Sequence, residues 1–104
     1  MKDRERGSAA FELLAGERSR IVGSLEFTTV SALLPLGSDA IAAGRAAVID
    51  LAAITHSDSS GLALLIEWLS VAKAAQRALR YENVPSQLHQ LAGLSDVDEL
   101  LAGA

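Results

Sequence analysis

The stretch from Ala46 to Leu65 constrains the fold of this chain more than any other. Ala46-Ala47-Val48-Ile49-Asp50-Leu51 opens it as a short apolar run suited to a buried strand. A polar loop, Thr55 to Ser60, follows, and from Leu62 the apolar residues take up helical spacing. Strand, hydroxyl-rich loop and helix in that order put a helix N-terminus at the end of a buried strand. The first N–H groups of such a helix have no partner within it, and its aligned peptide dipoles make the spot mildly positive. Ser59 and Ser60 fall where an N-cap oxygen is wanted, and where a phosphate would be well held.

The flanking sequence supplies the rest of an α/β pattern. Met1 to Ser8 alternates in charge sign and reads as a solvated, flexible lead, leaving residues 9–104 as one domain. Phe11–Leu14 and Arg20–Leu25 are strand candidates joined by the turn Ala15–Ser19. Phe27–Ala43 is helical in spacing, with Thr28 or Thr29 placed to cap it and Val30, Leu33 and Leu34 on one face. Pro35 removes a donor and Gly37 weakens the helix, so a kink or break is expected there, with Ser38 capping a second piece and Gly44 ending it. Leu62–Arg77 is the principal helix, grouping Leu65, Trp68, Leu69, Ala72 and Ala75 on one side. Leu64 and Val71 widen its apolar arc beyond the stripe of about 100° of an ordinary surface helix. Such an arc is either a broad buried face or a flank left open for docking. Leu79–Glu82 is a further strand candidate, and Pro85 suits the start of a helix carrying Leu88, Leu91 and Ala92 and ending at Gly93. Ser95 with Asp98 resembles a capping box for a last turn that buries Val97, Leu100 and Leu101. The expected fold is a single α/β domain: a mixed sheet of about four strands packed with helices.

Composition removes several functions. The 104 residues include no cysteine, so there is no disulfide, thiolate metal site or Cys nucleophile. A net charge of −4 argues against nucleic acid or an anionic membrane as the main partner. The charged opening is followed by no long apolar stretch, and no run approaches the ~18 residues that span a bilayer, which points to service from the aqueous side. Ser59, His56 or His89, and Asp58 are the raw ingredients of a hydrolase, yet no Gly-x-Ser-x-Gly elbow holds them. His56 reads equally as a solvated loop residue, and His89 lies between Gln87 and Gln90 on an exposed helix face. Two isolated histidines give no metal-ligand spacing, and without a Gly-rich phosphate loop nothing supports a nucleotide cofactor.

Asp58-Ser59-Ser60-Gly61-Leu62 after Val48-Ile49-Asp50-Leu51 resembles the signature of STAS domains, the sulfate-transporter and anti-sigma-factor-antagonist domains. Gly23-Ser24-Leu25-Glu26-Phe27-Thr28-Thr29-Val30, Gly61-Leu62-Ala63-Leu64-Leu65-Ile66-Glu67-Trp68-Leu69 and Val84-Pro85-Ser86-Gln87-Leu88 are similar to the MlaB group, STAS subunits of a bacterial ABC system that moves phospholipids between membranes. The resemblance runs from about Phe11 to Leu101. It implies a cytoplasmic, non-enzymatic module, peripheral to the inner membrane, that docks on the ATPase subunit and reaches the permease through it. The loop and adjoining helix would make the contact: Ser57, Asp58, Ser59, Ser60, Gly61 and Leu64, with Thr28 and Thr29 as a second patch on the same end. In anti-sigma factor antagonists the resemblance implies instead that the serine at Ser59 is phosphorylated by a partner kinase. Those antagonists commonly carry Gly-Glu-Leu-Asp after the second strand. Gly23-Ser24-Leu25-Glu26 stands here, which favours the transporter branch.

Overall fold

The computed structural model describes residues 7–94. In order they form β1 (Ala9–Leu14), β2 (Arg18–Leu25), α1 (Phe27–Ala42), β3 (Val48–Asp50), β4 (Ile54–Ser57), α2 (Ser59–Ala74), β5 (Arg80–Glu82) and α3 (Ser86–Leu94). β1 and β2 make the expected antiparallel hairpin, with Phe11 opposite Ile21. β3 runs parallel to the first half of β2, β4 runs parallel to its second half, and β5 lies parallel outside β3. The described residues therefore hold the expected mixed sheet packed with helices, with five strands where about four are expected.

The extra strand is β4, which occupies the first half of the stretch expected to be a polar loop. The chain breaks after β3, where Asp50 Oδ1 accepts from Ala52 N–H at 2.9 Å, and then resumes alongside β2. Thr55 and Ser57 share one side of the strand and Ile54 and His56 the other, so polar residues stand on both sides. Its composition concealed it.

α1 corrects a second expectation. Pro35 and Gly37 lie inside one continuous helix, and Ser38 caps nothing because it sits mid-helix. Ser31, whose carbonyl loses its helical donor to Pro35, lies with Pro35 on the exposed side, where water can replace the bond. Gly37 faces inward instead. A Cβ there would sit inside the Trp68 indole, so this glycine lets the two helices close on the largest core side chain. Trp68 is fully buried; its Nε1–H donates to the Leu34 carbonyl at 3.2 Å, and Phe11 meets it edge-on with ring centroids 5.8 Å apart. The core closes around it with Ile21, Leu33, Ile41, Ile49 and Leu65.

The helix ends differ in legibility. α1 stops at Gly44 as expected, with Arg45 N–H donating to Ala40 and Gly44 N–H to Ile41. α2 stops at Ala74, three residues before the expected Arg77, in the same hydrogen-bond pattern built on Gln76 in the left-handed region. Pro85 precedes α3, accepting from Leu88 and His89 N–H, and Gly93 lies within that helix rather than ending it. The expected turn around Ser95, Asp98, Val97, Leu100 and Leu101 lies outside the described residues.

The sheet face opposite Ile21, Ile49 and Tyr81 carries charge. Glu12, Arg20, Asp50 and Glu82 fall in one cross-strand row. Arg20 Nε donates to Glu12 at 2.7 Å, and Arg18 bonds Glu82. The Asn83 amide, then the Ala52 N–H and the nearby Arg18 and Arg20, hold the Asp50 carboxyl below its ordinary range; Arg18 does the same for Glu82. Tyr81 points the other way, its hydroxyl donating to the Leu65 carbonyl at 2.6 Å, and burial pushes its pKa well up.

Candidate functional site

The starts of α1 and α2 meet at the end of β2 and β4. One side chain joins them. Asp58 Oδ1 accepts from the N–H groups of Ser60 (2.9 Å) and Gly61 (3.3 Å), while its Oδ2 accepts from Phe27 N–H at 3.1 Å. Asp58 is thus the N-cap of α2 and also satisfies the first amide of α1. This corrects the expected caps. The helix begins at Ser59, so Ser59 and Ser60 occupy its first turn instead of preceding it. With a carboxylate already on the amides, the Ser59 hydroxyl is not consumed by capping and its residue stays exposed.

α1 is corrected likewise. Its N-cap is Glu26, and Thr29 lies within the first turn, where its buried hydroxyl accepts from Glu26 N–H (3.1 Å) and donates to the Ser24 carbonyl (2.8 Å). Thr28 is exposed and its hydroxyl reaches Glu26 Oε2 at 3.4 Å. His56 belongs to β4, not to a loop, and places Nε2 3.3 Å from Glu26 Oε1. That carboxylate, not Ser59, is the neighbour of the imidazole.

The eight candidate residues therefore divide. Thr28 and Ser59 are exposed, and Asp58 and Ser60 are half-buried. Thr29, Ser57, Gly61 and Leu64 are buried and act from beneath. Ser57 donates to Gln87 of α3 at 3.2 Å, tying the end of β4 to that helix, and a Cβ on Gly61 would collide with the Leu25 carbonyl, so this glycine lets the start of α2 close on β2. Leu64 is only 5 % exposed and Val71 half-buried, so the flank considered open for docking is largely covered. What stands open is a groove of about 550 Å³ between α1 and α2, lined by Phe27, Val30, Leu34, Ser60, Ala63 and Glu67 among others. Phe27, 76 % exposed, forms its lip. Two of the candidates, Ser60 and Leu64, line this groove; its α1 wall was missed, where an aromatic residue at the very start of a helix, ahead of its apolar face, was the signal. Among the described residues no cluster of His, Asp and Glu could hold a metal ion, and no helix is long and apolar enough to cross a membrane.

A family model described as MlaB, STAS domain matches residues 15–102. This chain belongs to the MlaB-type STAS domain family. Among solved structures, the STAS domain is similar to the Bacillus cell fate determinant SpoIIAA in its phosphorylated form, at 20% identity and a TM-score of 0.65, covering 86% of this chain and 85% of that one. The anti-sigma factor antagonist SpoIIAA in its unphosphorylated form is similar at 17% identity and a TM-score of 0.63, covering 93% of this chain and 100% of that one. At these identities the likeness is one of fold. A comparison with curated proteins finds no match. STAS domains in general mediate protein–protein contacts without catalysis.

Proposed function

We propose that this STAS domain is a non-enzymatic binding module that docks on the ATPase subunit of an ABC-type phospholipid transporter and supports its assembly or activity. The permease is held through that ATPase, which places the domain on the cytoplasmic side of the inner membrane. The observation that carries the reading is the exposure of Ser59 on the first turn of α2, beside the apolar groove that Phe27 rims. A rigid polar crest next to an apolar slot suits a partner that inserts a side chain and reads a hydroxyl. The family model's MlaB description supports the choice of partner. A tagged copy recovered from its own cells is expected to bring down an ABC ATPase, and Ser59→Glu to weaken that capture by placing a charge in the contact. Capture unchanged by Ser59→Glu removes the crest from the interface.

A second reading is favoured by the same exposed hydroxyl. A phosphate on Ser59 adds about −1.5 to −2 charge at the positive end of α2, where the domain tolerates it and an acidic partner does not. The domain would then be an anti-sigma factor antagonist, switched by a partner kinase. Co-purification of a kinase-fold anti-sigma factor, together with an added phosphate in the intact mass, selects this reading over the first.

A further inference from the structure

β1 is the outermost strand on its side of the sheet among the described residues. The Ser8 carbonyl accepts from Ser24 N–H at 2.9 Å, in register with the β1–β2 pairing. In an antiparallel ladder the backbone groups alternate, so Ser8, Ala10, Glu12 and Leu14 turn theirs toward β2. Ala9, Phe11 and Leu13 turn N–H and C=O outward, to the side where no described strand lies. Natural edges are usually blunted by Lys, Pro or a bulge. This one, Ala-Ala-Phe-Glu-Leu-Leu, has none of these within the strand, and its single charge, Glu12, is already paired with Arg20. Ala10, Leu13 and Leu14 are exposed, and Leu36 of α1 extends the apolar surface beside Leu13.

We propose that the occupant of this edge is a second copy of the chain, with the two β1 strands pairing antiparallel across a two-fold axis at Phe11. The strand's own size pattern argues for it: small residues lead and leucines close. Centring on Phe11 sets Ala9 against the partner subunit's Leu13, and Leu13 against the partner subunit's Ala9. Small meets large twice, on the same face of the joined sheet. All three outward-facing residues then become hydrogen-bonded pairs. Glu12 meets the partner subunit's Ala10, where no charge opposes it. The neighbouring register, centred on Glu12, would set two carboxylates directly opposite and is disfavoured. Because the axis reverses one copy, the two Ser59 crests lie at opposite ends of the joined sheet and both stay open. The dimer therefore stands apart from the function proposed above.

Analytical ultracentrifugation of the full chain over a wide concentration range tests this. The wild type is expected to shift from monomer to dimer. Leu13→Pro removes an outward N–H, twice per dimer, without removing a β1–β2 bond, and is expected to weaken association about tenfold or more while keeping the circular dichroism spectrum. Should Leu13→Pro lose the fold, Leu13→Lys at the same exposed position reports instead, with the same expected direction. The register has its own test, since the native chain contains no cysteine. An oxidised mixture of Ala10→Cys and Glu12→Cys is expected to form mainly the mixed disulfide. A wild type that stays monomeric throughout overturns the proposal. So does association untouched by both Leu13 variants, or Glu12→Cys linking chiefly to itself.

Discussion

The seam between Trp68 and Gly37 and the crest at Asp58–Ser59 both join α1 to α2, but they do so by opposite means. At the seam a buried indole presses against a residue with no side chain, and contact leaves no room for another atom. At the crest one half-buried carboxylate reaches three amides from two helices and leaves a hydroxyl beside it facing out. The first arrangement gives stability and nothing to read. The second gives less stability and a surface a partner can use. Close packing is intolerant of added volume, whereas a polar cap concentrates its work in one group and spares its neighbours.

Four experiments press on this contrast, beginning with the strongest expected effect. Trp68→Ala empties the seam and is expected to cost about 3–5 kcal/mol by chemical denaturation; a loss of under about 1 kcal/mol would mean the helices are joined elsewhere. Asp58→Ala breaks the double cap, and a loss of about 1–2 kcal/mol is expected. Asp58→Asn should recover part of it, because an amide oxygen still accepts from N–H. Acid tests the charged row on the opposite sheet face. Asp50 and Glu82 hold their carboxyls below the ordinary 3.8 and 4.5, so the folded state takes up protons less readily than the unfolded one. The stability they contribute is complete above those ordinary values and disappears as pH falls through the lower folded values. Denaturation midpoints followed by Trp68 fluorescence are expected to fall across that window, and Glu82→Gln to flatten the fall. Ser59→Ala closes the series, with stability unchanged to within about 0.5 kcal/mol while partner capture changes. A large stability loss there would make Ser59 a cap after all.

Much of this molecule could be read from its residues. The hairpin, the central strand at Val48–Asp50, the stop at Gly44 and the helix carrying Trp68 follow from alternation, spacing and a glycine where a left-handed residue is needed. What escaped did so for identifiable reasons. β4 is a strand with polar side chains on both faces, held by its ladder to Gly23, Ser24 and Leu25, and ladders leave no mark on composition. Gln76 takes a conformation usually given to glycine, so the end of α2 had no local sign. Pro35 and Gly37 carry local breaking signals that the packing of α1 overrides. At the site, the motif located the start of α2, but the choice of Asp58 over either serine as its cap depended on the arrival of Phe27 N–H from across the fold.

The sequence by itself determined the family, the alternation of strands and helices, and the place where hydroxyls crown a helix, because these depend on neighbours in the chain. The tertiary structure alone decided which of those hydroxyls faces outward, which leucine is covered, and that a groove opens beside Phe27. Exposure is a property of what packs against a residue, and the partners here lie far off in the chain, Phe27 and Asp58 thirty-one positions apart and Leu34 and Trp68 thirty-four.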